Sequence, residues 1–415
     1  MGGLKALLPA PFMVPRYEGR SIGNIPATFG ALWGLKVGSL PPLAPPLWQP
    51  LLGDGVERVL FLLLDAVGWE RMNRALAQDT ATARWLEEVG AVVEPITSIF
   101  PSTTTAALTT IWTGTPPAQH GMVGYTVWLR EFGVVANMIA LQVAHKGLRA
   151  DLLDAGLDTE RFVPVPTLAQ QLKGADIPLF VLIGAAIRGS GLSQLHFRGS
   201  EQVISYAGLG DCLSLLRALL DKTSGQRALI AAYWPSFDTL SHIHGPNPSH
   251  WDAEWHIVMT ALRDVLLRDL SPEARRRTLV VITADHGHNT VPEEGVVLLS
   301  DHPELARRLV VDPTGDSRAP YLHVRDGERA AVRAFVEERW GHAFTALDVD
   351  EALAAGLWGP GSLHPDVRSR LGDLVLLAHD GYALDARKRE TPLIGRHGGL
   401  WPDEALVPWI AFRLD

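Results

Sequence analysis

Several runs of this chain are apolar at nearly every position and then stop on, or just before, an acidic residue. "VERVLFLLLDAVG" (56–68) runs into Asp65, and "RTLVVITA" (277–284) runs into Asp285 and His286. "RALIAAYW" (227–234) is followed four residues later by Asp238. A strand that is hydrophobic throughout, and not only at alternate positions, must be covered on both faces. Similar runs occur at 90–100 and 177–184, and helix-like patterns lie between them at 209–223 and 253–270. This alternation predicts an α/β fold with a mostly parallel central sheet and helices on both faces. In such folds ligands bind beyond the carboxyl ends of the strands, which is where these acids fall.

The chain has 415 residues, 47% of them hydrophobic, enough to bury a large core. Its texture changes at 301–385, where short strand-like and helix-like pieces bounded by Pro and Gly predict a small α+β cap. The expected organisation is a catalytic domain formed by 1–300 and 386–415, with 301–385 inserted. A net charge of −9 argues against a nucleic-acid scaffold. The lone cysteine, Cys212, excludes an intramolecular disulfide and a thiolate metal site. The N-terminal stretch is broken by prolines, and no long apolar span occurs, so a cytoplasmic protein without a membrane segment is expected. Nothing in the sequence sets an oligomeric state.

Four groups of acids and imidazoles stand out: Asp65; Asp238 with His242; Asp285 with His286; and His397 in "GRHGG". Asp238 and His242 are four residues apart, so a helix would point both the same way. Each group alone also reads as an ordinary polar turn or a solvated histidine. Together at strand ends they read as a metal site with carboxylate and imidazole ligands, which suits zinc, with manganese or iron as the other options. Between them lies "FPSTTTAALTTIWTG" (100–114), with Ser102, Thr103, Thr104 and Thr105 ahead of a helix-like run. A hydroxyl there can cap the helix, and the same position favours an anion. Beside a metal it could equally serve as a nucleophile.

In this order the motifs resemble the alkaline phosphatase superfamily, most of all its branch of type I phosphodiesterases and nucleotide pyrophosphatases. The resemblance covers about 58–300 and 394–400 and implies an alkaline-phosphatase-like fold with two divalent, zinc-type ions. Asp65, Asp285, His286 and the nucleophile would hold one ion; Asp238, His242 and His397 would hold the other. Counting back from Gly114 gives Thr104 as the nucleophile, with Thr103 and Thr105 as neighbours in register. The branch places an Asn after "HG" to bind a phosphate oxygen. Here that position is Tyr125, with Asn137 as the other candidate. Tyr233 matches one wall of a nucleobase clamp, whereas Thr105 stands where the other aromatic would be. The implied activity is hydrolysis of phosphodiester or pyrophosphate bonds in small, nucleotide-like phosphate esters through a phosphothreonine.

Other histidines in the motifs read as supporting residues. His288 is placed to hydrogen-bond a ligand, and His120 to order the loop after the nucleophile helix. His244, His250 and His256 read as packing or surface residues, and the 13 tryptophans chiefly as core. The competing readings are a phosphomonoesterase, a phosphonate hydrolase or a phosphomutase of the same superfamily. A phosphomutase would want a larger cap. A sulfatase would need a C/S-x-P-x-R run, which does not occur. The non-enzyme reading is a metal-binding relative without turnover.

Overall fold

The computed structural model of the chain describes residues 2–144 and 151–415. Its main sheet has seven strands in the spatial order Val92–Thr97, Leu406–Arg413, Thr278–Thr283, Arg58–Leu64, Ala228–Trp234, Leu179–Gly184, Gln202–Tyr206. The last five run parallel to one another, while Leu406–Arg413 is antiparallel to both its neighbours. Arg58–Leu64 and Thr278–Thr283 are buried at every residue, as their unbroken apolar sequences require.

Two of the seven strands are not apparent in the sequence. Gln202–Tyr206 is a short edge strand with little burial. Leu406–Arg413 carries Pro408, which normally argues against an interior strand. The structure accommodates it by setting Pro408 opposite Pro95, while the Pro408 carbonyl accepts a hydrogen bond from Thr283 Oγ1 at 2.6 Å. The helix expected at 253–270 starts earlier, at Pro248, behind an Asn247 cap. It ends in a π-helical turn, Leu262–Leu267.

A second seven-stranded sheet is antiparallel throughout, in the order Phe344–Asp348, Leu374–Ala378, Ala319–Leu322, Thr314–Asp316, Thr126–Leu129, Val134–Asn137, Gln142–Val143. Residues 301–385 thus supply four strands, and the segment 126–143 supplies the other three. One pairing, Gly315 with Thr126, joins the two halves. Residues 307–313, within the segment expected to hold short strands, make only an isolated bridge between Leu309 and Val324. Separate apolar clusters fill the main sheet, the junction with the second sheet and the far side of the second sheet. Trp112, Trp251, Trp255, Trp358 and Trp409 lie fully inside these clusters.

The chain returns to the catalytic face through Gly395–Arg396, which pairs antiparallel with Asn289–Thr290. This short ladder fixes His397 beside the turn that follows strand Thr278–Thr283. Among the described residues no helix is long and apolar enough to cross a membrane.

Candidate active site

Strand register brings the acids together. Leu63 pairs with both Tyr233 and Thr283, so three parallel strands end side by side. Asp65 follows the first, and its N–H donates to the Trp234 carbonyl at 2.9 Å. Asp285 and His286 follow the third. Ala66 takes φ +65°, a left-handed conformation unusual for a residue with a Cβ, and its N–H donates to Asp285 Oδ1 at 3.2 Å. Gly287 must be glycine because a Cβ would collide with the Asp403 carbonyl. The helix Ser236–His244 presents Asp238 in its first turn and His242 one turn on.

Ligand atoms of Asp65, Asp238 and His286 all lie within 4.8 Å of one another, as do those of Asp238, His242, His288 and His397. Asp238 belongs to both groups. Asp285 adjoins the first, with Oδ2 3.5 Å from His286 Nε2. Three of the imidazoles are held alike. Nδ1 lies 2.8 Å from the Gly395 carbonyl in His242, 3.1 Å from that of Gly287 in His286, and 3.1 Å from that of Ser102 in His397. Nδ1–H donates to a carbonyl in each, so the Nε2 lone pair faces the site, as a metal-binding imidazole requires.

Two of the carboxylates carry unpartnered oxygens that a cation would satisfy. Asp65 and Asp285 are buried, and Asp65 Oδ1 and Asp285 Oδ2 have no hydrogen-bond partner among the described residues. Burial, then the charges of Asp285 and Asp238, push the Asp65 carboxyl well above its usual range. Burial also acts upward on Asp238. The hydrogen bond from His288 and the charges of His242, His288 and His397 outweigh it and hold that carboxyl far below its usual range. Burial, then the neighbouring His286 and His288, keep His397 neutral. Paired buried carboxylates with unused oxygens, ringed by imidazoles whose lone pairs face inward, fit divalent cations with nitrogen and oxygen ligands.

The three candidate threonines part company here. Thr104 Oγ1 lies 3.0 Å from His286 Nε2 and faces the cavity. Thr103 is the N-cap of helix Thr104–Thr113, yet it makes no capping bond; its hydroxyl donates to Asp316 Oδ1 at 2.9 Å. Thr105 is buried and donates to the Gly124 carbonyl at 2.8 Å. Only Thr104 is turned to the ligand cluster.

The cavity has a volume of about 650 Å³ and runs from Thr104, Asp238, His242 and His397 to Pro313–Ser317 on one wall and 384–396 on another. Tyr125 lines it and is 40% exposed. The two other candidate substrate contacts are placed differently. Asn137 turns its side-chain oxygen to the N–H groups of Ile139 and Ala140, at 2.9 and 3.1 Å, closing its own turn and not facing the cavity. Tyr233 is buried, with its hydroxyl on Asp65 Oδ2, so it orients a carboxylate and forms no wall for a base. Trp69, Trp128 and Trp234 do not line the cavity.

Other residues were missed or underweighted in the sequence. His288 is buried, with Nε2 2.9 Å from Asp238 Oδ1, so it joins the cluster directly; its signal is the alternation in "DHGH". Asp316 is half-buried in the cavity wall, where desolvation pushes its carboxyl up to about 6 against the opposing bonds from Thr103 and the Tyr125 N–H. No local pattern marks it, because only the pairing of Gly315 with Thr126 carries it to this cavity. His120 lies between Thr110 of helix Thr104–Thr113 and the Met122 N–H in the loop after it, and His244 and His250 stack at the surface with centroids 3.8 Å apart.

The family profile of type I phosphodiesterases and nucleotide pyrophosphatases matches residues 59–400. The chain belongs to this family. Membership places it among phosphoester hydrolases of the alkaline phosphatase superfamily. No curated protein sequence matches it. Among solved structures, murine ectonucleotide pyrophosphatase/phosphodiesterase 5 is similar at TM-score 0.58 and 16% identity, covering 85% of this chain and 87% of that one. An inactive form of that protein in complex with AMP matches equally well. Phosphonoacetate hydrolase from Sinorhizobium meliloti 1021, in complex with phosphonoacetate, is similar at TM-score 0.62 and 18% identity, covering 86% and 91%. At these identities the likeness establishes the shared fold.

Proposed function

We propose that the chain hydrolyses a phosphodiester or pyrophosphate bond of a small substrate with Thr104 as the nucleophile. The observation that carries this is the Thr104 hydroxyl, the only one of three adjacent threonines directed into the cluster of Asp65, Asp238, Asp285 and four imidazoles. Two divalent ions are the proposed cofactors, zinc for this donor set, with Asp65, Thr104, Asp285 and His286 holding one and Asp238, His242 and His397 the other. Bound there, they would make the threonine hydroxyl more acidic and neutralise charge on the phosphoryl oxygens.

Thr104 Oγ forms a bond to phosphorus as the bond to the leaving oxygen breaks, giving a phosphothreonine. Water then cleaves that ester and regenerates the hydroxyl. The first N–H groups of helix Thr104–Thr113 stand beside this oxygen, free of any side-chain cap, and favour the negative charge of the phosphoryl group. Residues 301–385, with the strands of 126–143, act as the cap over the cavity.

Phosphonate hydrolysis is the second reading. It is favoured because, among the described residues, Tyr125 is the one tyrosine, tryptophan or phenylalanine lining the cavity, Tyr233 being committed to Asp65.

Replacing Thr104 with Ala tests the nucleophile. Turnover of bis-p-nitrophenyl phosphate should fall by at least about 1,000-fold, with the circular dichroism spectrum and melting temperature close to wild type. A Thr104→Ala protein that turns over at the wild-type rate would remove Thr104 from the reaction.

A further inference from the structure

Beyond the ligand cluster, the cavity has one wall of a distinct character. Asp385, Arg389 and Arg396 all line it. Arg389 meets Asp385 with two donors, Nε on Oδ2 and Nη2 on Oδ1, each at 3.0 Å. Arg396 meets the same carboxylate through Nη1 at 2.9 Å and gives Nε to the Leu393 carbonyl at 3.2 Å. Two guanidinium groups against one carboxylate leave a net positive charge on this wall. Arg389 Nη1 and Arg396 Nη2 have no protein acceptor among the described residues, so both keep donors for a ligand.

The two arginines are not equivalent. Arg396 is buried and directly precedes His397, so its position is tied to the ligand cluster. Arg389 sits on the exposed stretch that follows Asp385, and its side chain is 45% exposed. Asp385 is buried and orients both forks. A planar guanidinium held at its far side by a carboxylate is well suited to take a second carboxylate or phosphate on its free edge.

We propose that this wall is a subsite for a second anionic group of the substrate. This rests on the phosphohydrolase reading above and narrows it to compounds in which the reacting phosphoryl or phosphonyl group is linked to a carboxylate or a further phosphate. The ligand cluster takes the reacting group, and the arginine wall takes the other acid.

Calorimetry on the zinc-loaded protein tests the idea without depending on turnover. The ligands are phosphonoacetate, 3-phosphonopropionate and 4-phosphonobutyrate, each paired with the alkylphosphonate of the same carbon number, and methylene- and ethylenebisphosphonate. At least one diacid should bind about tenfold or more tightly than its alkyl partner; the arm showing the larger gain, carboxylate or bisphosphonate, names the second anion. In Arg389→Gln that ratio should fall towards one, and Arg389→Lys should restore part of it. Because both members of a pair share the phosphonate, general damage to the site cancels in the ratio. The proposal is overturned if no diacid outbinds its alkyl partner, or if the advantage survives Arg389→Gln. It is also overturned if both members of a pair weaken equally, which would mean that the arginine contacts the phosphonyl group itself. A wild-type protein that binds these ligands but turns over no phosphoester would instead refute the hydrolase reading.

Discussion

A single side chain's direction separates Thr104 from its neighbours. Three consecutive threonines look alike in sequence; where the helix begins decides that one hydroxyl meets His286, one meets Asp316 and one meets the Gly124 carbonyl. His288 shows the same dependence on placement. Its Nε2 is on Asp238 while Nδ1 has no partner among the described residues, so its contribution is concentrated on one carboxylate. Replacing His288 with Ala should therefore weaken zinc binding by about 10- to 100-fold, read by competition with a chromogenic chelator. Unchanged affinity would reduce His288 to packing. Tyr233 carries the opposite lesson. The resemblance makes it one wall of a base clamp, but its inward-facing position on a buried strand sets its hydroxyl on Asp65.

At the scale of one element, helix Thr104–Thr113 is held in place by two buried neutral histidines. Thr109 Oγ1 donates to the Thr105 carbonyl at 2.7 Å, so it accepts from His196 Nε2 at 2.8 Å. Thr110 Oγ1 lies 2.9 Å from His120 Nε2, while His120 Nδ1 accepts the Met122 N–H at 3.0 Å. Protonating His120 would remove the Nδ1 lone pair that accepts the Met122 N–H; for His196, which keeps its Nε2–H either way, burial is what opposes the charge. Burial, then Arg198, lowers His196 from 6.5 to about 3, and burial lowers His120 in the same direction. A histidine depressed in the folded state binds its proton more readily when unfolded. Its stabilisation is therefore complete above pH 6.5 and is lost as the pH falls towards 3, by roughly 5 kcal/mol at the limit for His196. Urea midpoints measured between pH 7 and pH 4 should fall steadily, and His196→Gln should flatten that slope. An equal slope in the variant would show that His196 does not titrate with folding. His120, read in the sequence as ordering the loop after this helix, bonds the Met122 N–H in that loop and also reaches Thr110 in the helix; His196 has no motif to announce it, because it lies 87 residues from the threonine it touches.

For the molecule as a whole, the catalytic face is where two sheets meet. The parallel sheet contributes strand ends carrying Asp65, Asp238 and Asp285, and the antiparallel sheet contributes Asp316 and the strand that follows Tyr125. Such crowding of buried and half-buried carboxylates is unfavourable without cations, so metal loading should be coupled to global stability. Dialysis against EDTA should lower the melting temperature and zinc should restore it. At a free ion concentration a hundred times the dissociation constant, the gain is about 2.7 kcal/mol per site. A zinc-free protein that melts at the holoprotein temperature would contradict the metal assignment.

What the chain alone determined is the set of chemical parts and the ground plan of the larger sheet. Fully apolar runs can be stable only as covered strands, and acids just beyond them gather at one edge, so Asp65, Asp238 and Asp285 were readable as a group; His242, His286 and His397 joined them through the resemblance carried by the motif order. Other features needed the folded molecule. Leu406–Arg413 escapes detection because Pro408 offends a local rule that its partner strand tolerates. The hairpin strands of 126–143 join the strands of 301–385 through one residue pair, which no periodicity encodes. Asp316, Arg389 and Arg396 reach the cavity by such long-range contacts, and the free side of each guanidinium exists only because Asp385 holds the other. Local patterns report which surfaces a segment must hide; which distant segment hides them, and what then faces the cavity, is set by packing across the whole chain.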